Sequence, residues 1–441
     1  NHIVGNEGTT LERDTEIPQT ADSADYVPIA LPKDEHGVPN ERIVFANNAQ
    51  RNAGYQYKDN FVTTAKYSVL TFLPINLFEQ FQRIANVYFL LLIILQLIPQ
   101  ISALNPITTA FPLLLVLCVT AIKDGFDDYA RHQSDKEVNT REVEVMRSEG
   151  AWQVVQWREV LTGDIVRVEQ DDPIACDLLC IATSDENGDC FVETAELDGE
   201  TNLKLRVALK ETATAYQEDS SLNNLQGFVR CEPPNTDLHY YKGTFQLPGH
   251  PRLPLDNDNL LLRGMTLRNT KWVTGLAIFT GHETKLMKNA SGTQFKRTKI
   301  DIQTNRLIIY IFGLLTILCT ISGIGSGLWA KNTGEDFEIY LPFETGLDSP
   351  AVIGTLAFFT FIILYSTLVP ISLYVSVEFI RLGQSFLIDW DLNMYHVESD
   401  TPAKARTTTL NEELGQIEYV FSDKTGTLTQ NVMRFLKCSV Q

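Results

Sequence analysis

Seven consecutive residues of the 441-residue chain, Asp423-Lys424-Thr425-Gly426-Thr427-Leu428-Thr429, place a carboxylate, a cation and a glycine side by side. The preceding run, Ile417 to Phe421, predicts a short buried strand. Asp423 would then fall where a strand ends and a loop begins, the position at which open α/β sheets present reactive groups. An aspartate there can attack a phosphoryl group and hold it as an acyl phosphate. Lys424 supplies positive charge, and the backbone about Gly426 can turn and offer N–H groups to phosphate oxygens. A magnesium ion bridging carboxylate and phosphate is expected. A solvated turn is the plain alternative.

An acyl phosphate must be hydrolysed before a cycle can repeat. A second carboxylate suited to that task lies in Glu193-Thr194-Ala195-Glu196-Leu197-Asp198-Gly199-Glu200-Thr201-Asn202. Taken alone, Asp198-Gly199 is a hairpin-turn signal and Glu200 a solvated acid. Beside Asp423, a glutamate exposed on a tight turn could orient and deprotonate the attacking water.

A third feature is Leu368-Val369-Pro370-Ile371-Ser372-Leu373, inside an apolar helical run. Proline removes one hydrogen bond and displaces the carbonyl four residues back, near Ser366. Freed backbone at membrane depth is tolerated only where it is buried or lines a cavity, and transporters build binding sites at such breaks. A simple kink is the alternative. Ile371 follows the proline, and the next acid, Glu378, is expected to be exposed near the cytosolic interface. No carboxylate in the intramembrane part of this span could hold a bare cation.

These residues need elements to position them. Apolar stretches at Phe78–Ile98, Ile107–Ile122, Leu307–Ala330 and Ala351–Val377 predict four membrane spans, the first two forming a hairpin closed by Pro99 to Pro106. The flanks Lys123, Arg131, Lys136, Arg141, Lys296, Arg297, Lys299 and Arg306 are basic, whereas the loop after the third span is acidic, which puts both termini in the cytosol. Residues 123–305 form a soluble insert whose alternating segments Val143–Met146, Ile165–Val168 and Leu276–Phe279 predict strands. Residues 1–40 are polar and acidic and read as disordered or loosely attached. The formal charge of -19 argues against nucleic acid as a partner. The seven cysteines show no metal-ligand spacing, and a reduced setting without a disulfide framework is expected.

D-K-T-G-T-L-T is the phosphorylation signature of the P-type ATPases, and the chain resembles that superfamily back to about residue 40. Cation pumps usually carry T-G-E-S where this chain has Asp198-Gly199-Glu200-Thr201, and an acid where it has Ile371. D-G-E-T and P-I-S-L instead resemble the type-IV branch, the phospholipid flippases, and most closely their class-one animal-type members. Further similar stretches are Phe78-Glu79-Gln80-Phe81, Leu261-Leu262-Arg263-Gly264 and Thr401-Pro402-Ala403 through Thr409-Leu410-Asn411-Glu412. Among the departures, Ile174-Ala175-Cys176-Asp177 replaces a usual V-P-A-D. Ser366 stands where many members carry asparagine, and Gln96 is followed by Leu97 rather than a second glutamine. The resemblance therefore leaves the headgroup open.

The resemblance implies a multidomain membrane protein with helical spans, a β-rich actuator domain and the start of an α/β, HAD/Rossmann-like phosphorylation domain. The expected divisions are an N-terminal cytosolic segment at 1–60, spans one and two at 61–122, the actuator at 123–305, spans three and four at 306–380, and a stalk with the first part of the phosphorylation domain at 381–441. It implies ATP-driven movement of phospholipid from the outer or lumenal to the cytosolic leaflet through an aspartyl phosphate on Asp423, with Glu200 driving dephosphorylation. ATP as substrate would meet Asp423, Lys424 and Thr425, Mg2+ would meet Asp423 and Thr425, and the lipid path would pass Gln96, Ser366, Pro370 and Ile371. A two-span glycosylated accessory (beta) subunit is the implied protein partner, and the plasma membrane or trans-Golgi and endosomal membranes the implied site. The chain is expected to be an N-terminal third, inactive alone. A cation-transporting P-type ATPase and a non-catalytic membrane fragment are the competing readings.

Overall fold

A computed structural model describes residues 41–102, 104–147, 150–200, 202–290, 298–333, 349–405, 408, 410–429 and 434–440. The expectation for residues 1–40 lies outside the described residues. The chain divides into two compact units. One holds Asn1–Thr63, Asp135–Gly292 and Ser422–Gln441, and the other Thr64–Ser134 and Thr293–Phe421.

The first unit is built on antiparallel sheet. Its largest sheet has six strands in the order Leu260–Leu261, Asp177–Thr183, Trp272–Phe279, Ile165–Glu169, Glu142–Met146, Trp152–Gln156. Every residue of Asp177–Thr183 is buried, because the strand is sandwiched in-plane between neighbours and covered on both faces. Its Leu, Cys and Ile side chains join one core with Val166, Val168, Leu276, Ile278 and Phe279. A second sheet orders Arg42–Phe45, Phe228–Cys231, Gly243–Gln246 and Leu253–Leu255. Its edge strand comes from the N-terminal segment, Arg42 facing Cys231 and Phe45 facing Phe228. A third sheet of Thr266–Arg268, Asp189–Glu193 and Lys204–Val207 carries the turn that contains Glu200.

The strand expected at Ile417–Phe421 is corrected. These residues form no strand, and Val420 and Phe421 are 82% and 95% exposed. A strand is stable only where neighbours accept its backbone groups and cover its side chains, and no described strand pairs with this run.

The second unit is helical. Pro106–Asn139, Lys299–Asn332 and Pro350–Leu368 are long and apolar enough to cross a bilayer. Ile107, Phe111, Ile317 and Ile321 on these helices are exposed, as lipid-facing residues are. The chain is a multi-pass membrane protein. The first expected span is instead a bent pair, Phe72–Gln80 and Ile84–Gln96, turning through 98°. The break is hydrogen-bonded rather than loose: the Asn86 amide donates to the Gln80 carbonyl at 2.7 Å, and the Gln80 amide to the Leu117 carbonyl at 3.3 Å. Backbone carbonyls released where a helix breaks need such partners. The second helix runs on to Asn139, well beyond Ile122. Lys299–Asn332 and Pro350–Leu364 pack backbone to backbone. A Cβ on Gly323 would lie 2.9 Å from the Gly354 carbonyl oxygen, and one on Gly327 would lie 2.9 Å from that of Pro350. Small residues permit this approach between membrane helices.

Candidate functional site

Asp423 is exposed and extended (φ -70°, ψ 154°), and its Oδ1 accepts the Lys424 N–H at 2.7 Å. The chain then turns once. Thr425 is extended, and Gly426 takes φ 71°, ψ -10°, a left-handed conformation that costs a glycine least. Thr429 closes the turn: its hydroxyl accepts the Gly426 N–H at 3.4 Å and donates to the Lys424 carbonyl at 3.2 Å. The Asp423 carboxylate thus stands at the mouth of a loop closed by its own side chains.

Glu200 lies on a second tight turn. Ala195–Asp198 forms one helical turn, ended by Gly199 at φ 74°, ψ 4°. The Asp198 Oδ1 accepts both the Thr194 hydroxyl at 2.8 Å and the Glu200 N–H at 3.0 Å. The Lys204 ammonium reaches Asp198 Oδ2 and lies 3.2 Å from Glu200 Oε2. Burial works to raise the Asp198 carboxyl, but the Lys204 ammonium and the two N–H and O–H donors outweigh it and hold the pKa below the usual range.

The two turns meet. A Cβ placed on Gly199 would lie 3.2 Å from the Thr425 carbonyl oxygen. Both segments belong to the same compact unit. Gly199 therefore meets two demands at once, a left-handed backbone and a close approach to the loop after Asp423.

Among the described residues no three His, Cys, Asp or Glu side chains converge as a metal site. Mg2+ commonly takes one or two carboxylates and completes its shell with substrate phosphates and water. The Asp423 carboxylate and an oxygen of Thr425 fit that sparse donor set.

The residues expected along the lipid path are in the second unit. Pro350–Leu364 gives way to a tighter turn, Tyr365–Leu368, and then to extended Val369 (ψ 110°) and Pro370 (ψ 87°) before Ile371–Asp389 resumes. The span is broken, not merely kinked. The Ser366 carbonyl is not left free, because it accepts the Val369 N–H at 3.1 Å. The Ile371 side chain lies outside the described residues; its backbone begins the resumed helix. Gln96 is buried, and its amide donates to the Thr109 hydroxyl at 3.0 Å, while its Oε1 has no hydrogen-bond partner among the described residues. It therefore bonds to the neighbouring helix rather than to the Ser366–Pro370 break.

Glu378 was expected to be exposed and is not. It pairs with Arg83 at 2.8 Å and faces Arg381 at 3.5 Å. Buried Arg381 also binds Asp301 at 2.9 Å and reaches Glu412. Sequence reasoning missed this cluster and missed Lys204. The i, i+4 spacing of Glu200 and Lys204 was the available signal for the latter.

Residues 44–110 match the family described as phospholipid-translocating ATPase N-terminal, and residues 137–245 that of the P-type ATPase actuator domain. The chain is 52% identical to the human phospholipid-transporting ATPase ID over 92% of its own length and 34% of that protein's. It is 52% identical to the human probable phospholipid-transporting ATPase IM over 91% and 33% of the two lengths. With the human phospholipid-transporting ATPase IC it shares 51% identity over 87% and 30%. The chain spans about a third of the length of the curated relatives it matches. It belongs to the type-IV P-type ATPases.

Proposed function

We propose that this chain, a member of the type-IV P-type ATPases, supplies the phosphorylated aspartate, the dephosphorylating glutamate and part of the lipid path of an ATP-driven phospholipid translocase. The observation that carries the reading is the approach of Gly199 to the Thr425 carbonyl, which brings the Glu200 turn against the Asp423 loop.

In the first half-cycle an Asp423 carboxylate oxygen attacks the γ-phosphorus of ATP. The bond from that phosphorus to the bridging oxygen breaks, and ADP leaves with the electron pair. Lys424 lies next to the developing charge, and backbone N–H groups of the turn at Gly426 are at hand for phosphoryl oxygens. Asp423 and Thr425 would hold Mg2+, and when bound it would supply charge neutralisation for the transferring phosphoryl group. In the second half-cycle a water oxygen attacks phosphorus and the bond to Asp423 breaks. Glu200 takes the water proton, and inorganic phosphate departs.

The cargo in this reading is a phospholipid moving from the outer or lumenal leaflet to the cytosolic one. Its headgroup passes Gln96, Ser366, Pro370 and Ile371 while its tails stay in the bilayer, since a charged headgroup is costly in hydrocarbon. Gln96 Oε1 is a buried acceptor with no hydrogen-bond partner among the described residues. The basic flanks support cytosolic termini. A two-span glycosylated accessory subunit, and residence in the plasma membrane or trans-Golgi and endosomal membranes, belong to the same proposal.

The test uses a protein extended to the length of its relatives. Ile371→Arg is expected to abolish fluorescent-phospholipid uptake while phosphorylation from ATP persists. Unchanged uptake in that variant, or ATPase activity that answers to a metal cation and to no lipid, would overturn the assignment.

A further inference from the structure

Glu200 does not stand alone on its turn. Lys204 begins the strand Lys204–Val207, where it faces Val192 of Asp189–Glu193, so its backbone is fixed in a sheet. Its ammonium touches two carboxylates, Asp198 Oδ2 and Glu200 Oε2. These two acids are held differently. Asp198 accepts three donors, from Thr194, from the Glu200 backbone and from Lys204. The Glu200 side chain is 41% exposed and rests on the ammonium at 3.2 Å.

We propose that Lys204 is a positioning residue for dephosphorylation, anchored by Asp198 and holding the Glu200 carboxylate in the orientation from which it engages the attacking water. The proposal rests on the reading of Glu200 given above. A base for acyl-phosphate hydrolysis must be oriented, yet must be able to change partners when it takes a proton. A half-exposed ion pair meets both needs, because it fixes a geometry while contributing little to stability. Asp198 supplies what Glu200 cannot, a partner that stays. When Glu200 takes the water proton and loses its charge, the ammonium keeps the Asp198 carboxylate and returns to Glu200 once the proton leaves. Partial burial works against the Lys204 ammonium, but the two carboxylates outweigh it and keep the group charged. Position 204 thus acts through Glu200 and makes no claim on the phosphoryl group itself.

The experiment takes the full-length protein, phosphorylates it with labelled ATP and follows loss of label after addition of phospholipid. Lys204→Met is expected to form phosphoenzyme to the normal extent and to lose it about 10- to 100-fold more slowly, the range for a misplaced catalytic group. Lys204→Arg, which can still span both carboxylates, should restore decay to within a few-fold of the parent. In a Glu200→Gln background, adding Lys204→Met should cause no further slowing, because the residue acts through the carboxylate already removed. Slowing of equal size in that background would mark Lys204 as merely structural and overturn the proposal. So would normal decay in Lys204→Met. If Lys204→Met forms no phosphoenzyme, Lys204→Gln, which keeps length and a donor, is read by the same criteria. Normal decay in Glu200→Gln alone would overturn the underlying reading of Glu200 instead, so the two failures are distinguishable.

Discussion

Asp177–Thr183 and Ile417–Asp423 are alike as sequence, each a short apolar run with an aspartate at one end, and they differ in almost everything else. The first lies between Leu260–Leu261 and Trp272–Phe279 and is buried throughout. The second pairs with no described strand, and Phe421 is 95% exposed. The aspartates follow their settings. Asp177 is completely buried and accepts the Arg263 and Lys285 N–H groups at 2.9 and 2.8 Å. Asp423 is exposed and accepts the N–H of the next residue. Composition and alternation can suggest a strand, but neighbours decide it, because β-propensity largely measures packing against cross-strand partners. The same contrast separates a structural aspartate, with both oxygens committed to backbone, from one whose oxygens can meet a phosphorus atom.

The sharpest way to break this contrast is to remove the exposed carboxylate. Asp423→Asn in the full-length protein is expected to eliminate the acid-stable, hydroxylamine-sensitive phosphoenzyme entirely, since an amide oxygen is a poor nucleophile. Label surviving in that variant would place the nucleophile elsewhere. A smaller but still large difference is expected in the chain itself by hydrogen exchange. Amides 178–182 should exchange at least about 10³-fold more slowly than amides 418–421, because buried core strands open with free energies approaching the global value and unpaired segments open with almost none. Comparable protection of the two segments would show that Ile417–Phe421 finds a partner in solution.

What the sequence made legible were features whose physics is local. The apolar stretches marked membrane helices, since hydrophobic length is a one-dimensional property. The glycines of Asp198-Gly199 and Lys424-Thr425-Gly426 marked tight turns, and both glycines take positive φ. Pro370 marked a break in its span. What stayed hidden depends on partners far along the chain. The 98° bend at Phe81 is held by Asn86 and Gln80, and nothing in an apolar run announces an angle. The strand Arg42–Phe45 completes a sheet with residues more than 180 positions away. Glu378 was read as a solvent-facing acid because its partner Arg83 comes from the distant break between Phe72–Gln80 and Ile84–Gln96. Ile417–Phe421 failed for the opposite reason, an apolar run that looked like a strand without the neighbours that make one.

The smallest effect concerns the buried member of the pair. Burial raises the Asp177 carboxyl to about 6, against the lowering effect of the Arg263 and Lys285 N–H groups. The sign follows from proton counting. Between about pH 4 and 6 the folded protein binds a proton at Asp177 that the unfolded chain does not, so stability from this group rises as pH falls through 6. It is lost as pH rises through the same value. A shift of about two units corresponds to about 3 kcal/mol at most. Asp177→Asn removes the titration. It also sets an amide NH2 where two backbone donors converge, which costs about 1–3 kcal/mol whatever the pH. The gap in stability between parent and variant should therefore shift in the parent's favour as pH falls from 7 to 4, by about 3 kcal/mol at most. Opening free energies of amides 178–182, obtained by hydrogen exchange and corrected for intrinsic rates, report that gap directly. A gap that stayed constant across this range would mean that Asp177 remains ionised in the core. In that case the two N–H donors would outweigh burial, and the two aspartates would differ in accessibility but not in charge.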